Sequence, residues 1–100
     1  MILIISCNND RIDANFDNIK DGVAIFHIVN RSSKDIEKFI FEIKYLDKSN
    51  KVLLLDTVNY AAGSSIFLKA KDRTFIVQKI PKNCESAQIK ILKIFYLEND

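Results

Sequence analysis

The densest set of potential metal ligands is Asp13, Asn15 and Asp17, which supply side-chain oxygens at alternate positions. Alternating oxygens open the calcium loop of an EF-hand, which also needs Gly at its sixth position and a bidentate Glu at its twelfth. Those two positions here hold Asn18 and Ala24. Because a polar segment rich in Asp and Asn produces half of this motif by chance, we predict no metal site.

The residue types that catalysis uses are present, but their spacing does not favour it. His27 is the one histidine, and it lies inside an apolar run, where a histidine is more often a packed sheet residue than a ligand or base. Nucleophilic catalysis needs Ser, Cys or Thr beside an oriented base, whereas the serines here fall in polar turns. We therefore predict no enzymatic activity, no catalytic residues and no cofactor.

Cys7 has a chemistry of its own, because it ends the stretch ILIISC. Two aliphatic residues and a serine before a cysteine fit the lipobox, at which a bacterial lipoprotein leader is cleaved and the cysteine is lipidated. The apolar run Ile2–Ile5 is shorter than a signal h-region and has no basic residue before it. We interpret residues 1–7 as a truncated leader with Cys7 as the lipidation site. The alternative is that residues 2–5 form an edge strand.

Charge excludes one class of partner. The sequence has 15 basic and 13 acidic residues, a net charge of +2, and the two signs are interleaved along the chain. A nucleic-acid-binding protein concentrates Lys and Arg on one face, whereas Asp72 interrupts the densest basic cluster, Lys69 to Arg73. We predict no nucleic-acid partner. An unknown protein and, through lipid on Cys7, a membrane remain as expected partners.

The chain divides into three parts by composition. Residues 1–7 are the leader or edge strand, and residues 8–21 are rich in Asn and Asp, as expected of a polar tether or a loosely docked first strand. Residues 22–97 read as a β-sandwich domain. One hundred residues support a single domain of this kind.

Alternating hydrophobicity predicts strands throughout the third part. The run GVAIFHIVNR is expected to be a strand covered on both faces, and IEKFIFEIKYLD has apolar residues at every second position, followed by a returning hairpin arm over 51–58. Two short runs, 64–69 and 74–80, precede a last strand, AQIKILKIFYL. Its apolar phase shifts near Ile91 and Leu92, which predicts a β-bulge there. Six or seven such strands predict an antiparallel, two-sheet, immunoglobulin-like sandwich.

Residues 22–95 resemble the FxLYD domains and related immunoglobulin-like modules of bacterial envelope proteins. In that family a strand ends in Asn, a polar turn follows, and the next strand ends in an aromatic–aspartate pair. The positions that carry the resemblance are Asn30, Ile43, Tyr45, Leu46, Asp47, Leu68 and Phe75. Ile43 replaces the family's Phe, Tyr45 and Leu46 are exchanged, and Ala70-Lys71 stands where the family has Pro-Gly. The resemblance implies a non-enzymatic module, often secreted or lipid-anchored.

Two functions follow as expectations. The first is a lipid-anchored protein of the bacterial cell envelope whose sandwich binds a protein or acts as a spacer. Asn59 and Tyr60, in the stretch NYAAGSS, are the expected interaction loop, since loops on a rigid sandwich commonly carry recognition. The second is a soluble assembly subunit, cytoplasmic or phage-encoded, that uses residues 2–5 as an edge strand.

Overall fold

The computed structural model describes residues 12–61 and 67–97, which form six β-strands in two antiparallel sheets. The strands are β1 (Ile12–Lys20), β2 (Val23–Asn30), β3 (Ile36–Leu46), β4 (Val52–Ala61), β5 (Arg73–Lys79) and β6 (Ser86–Tyr96). The β2 sheet has the order β1-β2-β5, and the β3 sheet has the order β4-β3-β6. The predicted all-β, two-sheet sandwich is confirmed.

The core lies between the two central strands, which have alternating sequences. β2 turns Ala24, Phe26 and Ile28 inward, and β3 turns every second residue from Phe39 to Tyr45 inward, all of them essentially inaccessible to solvent. The rings of Phe39 and Phe41 stack with centroids 5.0 Å apart. Because burying one such side chain stabilises a fold by about 1.5–3 kcal/mol, this double row provides most of the driving force for folding.

The bulge predicted near Ile91 and Leu92 is confirmed. Ile40 of β3 lies opposite Lys93, whereas the next residue, Phe41, lies opposite Ile91, so Leu92 is the extra residue in β6. Leu92 consequently has no partner across the strand pair and is exposed. Because of the bulge, apolar residues of β6 point to the inner face of the sheet both before and after Leu92.

Of the two interpretations of residues 8–21, the polar tether is wrong for residues 12–20 and the first strand is confirmed there, since these residues form β1 and pair with β2 along its whole length. The physical reason is a bulge between Phe16 and Asn18, which shifts the inward phase by one residue. Ile12, Ala14 and Phe16 on one side of the bulge and Ile19 on the other therefore all pack against the core. The β-sandwich therefore includes residues 12–21 as well as the predicted 22–97, while residues 1–11, including Cys7, lie outside the described residues.

Two further expectations are corrected. The strand expected over 64–69 falls partly on residues 62–66, outside the described residues, and Phe67–Lys69 contributes only an isolated bridge from Leu68 to Ile36. β2 is covered on its inner face alone, because its outward residues, among them Ile25 and His27, are only half-buried. Among the described residues, no helix is long and apolar enough to cross a membrane.

Candidate interaction surfaces

Asn30, the last residue of β2, ties three segments together. Its Nδ2 donates to the carbonyl oxygens of Lys34 at 2.8 Å and Lys69 at 3.1 Å. Its Oδ1 accepts hydrogen bonds from the backbone nitrogen and the hydroxyl of Ser32. Both residues are fully buried, so the side chain of Asn30 has no capacity left for a ligand. We call this arrangement the Asn30 latch, and its role is structural.

Asp47 organises the turn between β3 and β4 in a similar way. Its Oδ1 accepts hydrogen bonds from the backbone nitrogens of Ser49 and Lys51, and the same turn places Asn50 in the left-handed region, at φ 66°. These backbone donors lower the pKa of the Asp47 carboxyl, because they favour its charged form. The carboxylate is therefore a turn-forming group rather than an acid.

Most of the other family-signature residues lie in the core. Ile43, Tyr45, Leu46 and Leu68 are all buried. Burial raises the pKa of the Tyr45 hydroxyl to about 12, and the negative charge of Asp56 adds to the rise. Phe75 is the exception, since 58% of it is exposed. Among the positions that carry the resemblance, Asn30, Ile43, Tyr45, Leu46 and Leu68 are therefore buried, whereas Phe75 is exposed.

Asn59 and Tyr60 lie in strand β4, and the expected interaction loop is corrected at these two positions. The Tyr60 hydroxyl donates to the carbonyl oxygen of Val77 at 3.1 Å and accepts a hydrogen bond from Gln78 Nε2. Its ring packs against Phe41 and Phe67. Tyr60 is therefore a strap from β4 to β5, on the side of the sandwich where these edge strands are not paired.

The outer face of the β2 sheet is apolar over two of its three strands. His27 of β2 stacks on Phe75 of β5 with ring centroids 4.7 Å apart. His27 Nε2 is buried and has no hydrogen-bond partner among the described residues. We call this surface the outer apolar face; it consists of Val23, Ile25, His27, Val29, Phe75 and Val77.

The first half of β4 is a second apolar surface, which we call the β4 apolar edge. Its residues, Val52 to Leu55, are between 36% and 53% exposed, although all four are large and apolar. Among the described strands, β4 pairs with β3 alone and is the outer strand of its sheet. In the sequence, the run VLLL indicates an apolar strand. An apolar run of strand length does not show whether that strand lies at the centre or at the edge of a sheet.

The chain is similar to the crystal structure of a DUF1425 family member from Shewanella sp. pv-4, with a TM-score of 0.57 and 12% sequence identity. The match covers 82% of this chain and 77% of that chain. The likeness shows a shared fold. No family model and no curated protein sequence matches this chain.

Ionisable groups gather into no reactive cluster in the part of the chain that the structure describes. No group of three His, Cys, Asp or Glu residues there could hold a metal ion. Asp13, one of the calcium-loop candidates, accepts a hydrogen bond from Arg31 Nε at 2.6 Å instead, and it lies with Asn15 on a strand rather than a loop. Cys84 is a buried free thiol whose Sγ donates to the carbonyl oxygen of Ser86.

Proposed function

We propose that this chain is a non-enzymatic β-sandwich module that acts by binding another protein or as a structural spacer. The observation that carries the proposal is that polar side chains hold the fold together while large apolar side chains are exposed. Asn30, Asp47 and Tyr60 are engaged in holding the fold, whereas the surface offers apolar side chains to solvent. An exposed apolar patch is typical of an interaction site.

The finer proposal is that the module is fastened to the bacterial cell envelope through lipid on Cys7. Its support is the order of the chain: an aliphatic run, a serine and a cysteine precede the sandwich, whose first described strand starts at Ile12.

The anchor is tested by producing the natural chain in a bacterium and separating membrane from soluble fractions with and without detergent. We expect the wild-type protein in the detergent phase, with the mass of a lipid on Cys7. The variant Cys7→Ser should be recovered in the aqueous phase, and Cys84→Ala is the matched control that should keep the lipid. A wild-type protein that is soluble and still carries Met1 would contradict the anchor.

The alternative is a soluble assembly subunit in which residues 2–5 form an edge strand. No described strand lies on the outer side of β4, and this favours the alternative because a sheet edge is a ready template for another strand. Deleting residues 1–7 separates the two proposals. Unchanged thermal unfolding after the deletion supports the leader, and loss of folding supports the strand.

A further inference from the structure

The sandwich protects its strand edges unequally. On one side β1 and β6 lie against each other, which closes the two sheets along that seam. On the other side, Tyr60 donates to the carbonyl oxygen of Val77, and the charged residues Arg73 and Lys79 stand at the two ends of β5. Charges at an edge and coverage of its backbone groups both discourage pairing with a foreign strand.

Within residues 12–61 and 67–97, nothing protects the β4 apolar edge in this way over its four successive residues. Val52 to Leu55 contain no charge and no proline, and they are exposed although they point to both faces of the strand. Leu53 forms a bulge, because Val52 lies opposite Leu46 and Leu54 lies opposite Tyr45. The bulge twists the edge strand but adds no charge to it. A bare apolar edge of this kind pairs with another strand when a suitable one is present.

The sequence of this edge is complementary to itself when two copies run antiparallel. With a twofold axis between Leu53 and Leu54, Val52 of one copy lies opposite Leu55 of the other, and Leu53 lies opposite Leu54. The next pair outward is Lys51 opposite Asp56, and symmetry repeats it on the other side of the axis. Neither residue of that pair forms an ion pair with any described residue of its own chain.

Neighbouring registers of the same kind lose this match. Moving the strands by two residues in one direction sets Asp56 opposite Leu53, and moving them by two residues in the other direction sets Lys51 opposite Leu54. Opposite charges across a strand pair stabilise it, whereas a charge placed against a leucine forfeits that gain. The charges at the two ends of the apolar run therefore favour this register over those two neighbours.

We propose that two copies of this chain form a symmetric dimer by pairing their β4 apolar edges antiparallel, in the register that sets Lys51 of one copy opposite Asp56 of the other. The two β3 sheets then form one continuous six-stranded sheet with the order β6-β3-β4-β4-β3-β6. An interface in which the same patch of both subunits meets itself is the usual design of a closed dimer. The dimer does not depend on the anchor or on a foreign partner, so its failure would leave the proposed binding or spacer function standing. In the alternative, residues 2–5 would compete with the second copy for the same edge.

The first test is sedimentation of the unlipidated full chain over a range of concentrations. We expect a reversible monomer–dimer equilibrium for the wild type and at least tenfold weaker association for Leu54→Lys. Val77→Lys is the matched control, because Val77 is 54% exposed and Leu54 is 45% exposed, on different strands. A monomeric wild type at high concentration overturns the dimer, and so does weakened association in the control alone.

The second test addresses the register and does not alter the apolar residues. Each of Lys51→Glu and Asp56→Lys places like charges across the interface and should weaken association at least tenfold. The double variant restores opposite charges and should return the dissociation constant to within about threefold of the wild type. Double-variant association as weak as in the single variants would overturn the register, and circular dichroism of all four proteins verifies that each one folds.

Discussion

At the scale of single residues, the polar groups of this protein are used mainly to hold the chain in place. The Asn30 latch is the clearest example, because one amide satisfies two carbonyl oxygens and accepts two hydrogen bonds from Ser32. A buried amide that makes all of its hydrogen bonds cannot be replaced without leaving some of its partners unsatisfied.

The variant Asn30→Ala should therefore lower the free energy of unfolding by about 1–3 kcal/mol, the usual cost of leaving buried polar groups unpaired. Urea unfolding monitored by circular dichroism measures this change. Ser33→Ala is the control, since Ser33 is exposed and its loss should cost less than about 0.5 kcal/mol. Equal stability of the two variants would show that the latch contributes nothing.

At the scale of strands, Tyr60 fixes the relation between two edges that are not paired with each other. Its hydroxyl spans from β4 to the backbone of β5, and the aromatic ring adds contacts with Phe41 and Phe67. The opposite side of the sandwich needs no such strap, because β1 and β6 already meet there.

Tyr60→Phe keeps the ring and removes only the strap, so we expect a loss of about 1 kcal/mol in stability. The diagnostic effect is local: backbone amides of β5 should exchange with deuterium faster in the variant, while those of β6 keep the wild-type rate. Hydrogen exchange followed by mass spectrometry measures both strands in one experiment. Unchanged exchange in β5 would mean that the two edges are held by the core alone.

Strand positions could be predicted well where the hydrophobic alternation was uninterrupted. The inward row from Phe39 to Tyr45 and the phase shift at Leu92 were both legible in the sequence. β1 was predicted only as the alternative to a polar tether, because the bulge at Asp17 breaks its alternation in the middle of a polar stretch. Tyr60 was assigned to a loop because small residues follow it, yet the strand continues to Ala61. Which strand lies at an edge depends on distant pairings, and these leave no local pattern.

At the scale of the whole molecule, the ionisation of the buried Tyr45 makes the stability of the fold depend on pH. In the folded protein its pKa is about 12, against 10.0 for an ordinary tyrosine, so folding favours the neutral form. The corresponding stabilisation is complete below pH 10 and is lost as the pH rises from 10 toward 12.

Tyr45→Phe lacks this ionisable group, and it should therefore lose less stability than the wild type between pH 9 and pH 11.5. The comparison of urea midpoints at these two values measures the difference, and the lysines, which also titrate in this range, are common to both proteins. An equal loss in the two proteins would contradict the role of Tyr45.

The seam between β1 and β6 also has a consequence for synthesis on the ribosome. Of the described strands, β1 is synthesised first and β6 last. β6 pairs with β3 within its sheet and lies against β1 of the other sheet. A nascent chain that has been synthesised only as far as β5 lacks β6, the strand that pairs with one side of β3. The aromatic residues of β3 are then only partly buried. Folding must then wait for the final strand to emerge, as expected for a topology dominated by distant pairings. During that interval the unfinished chain exposes apolar strand surface and is prone to aggregation.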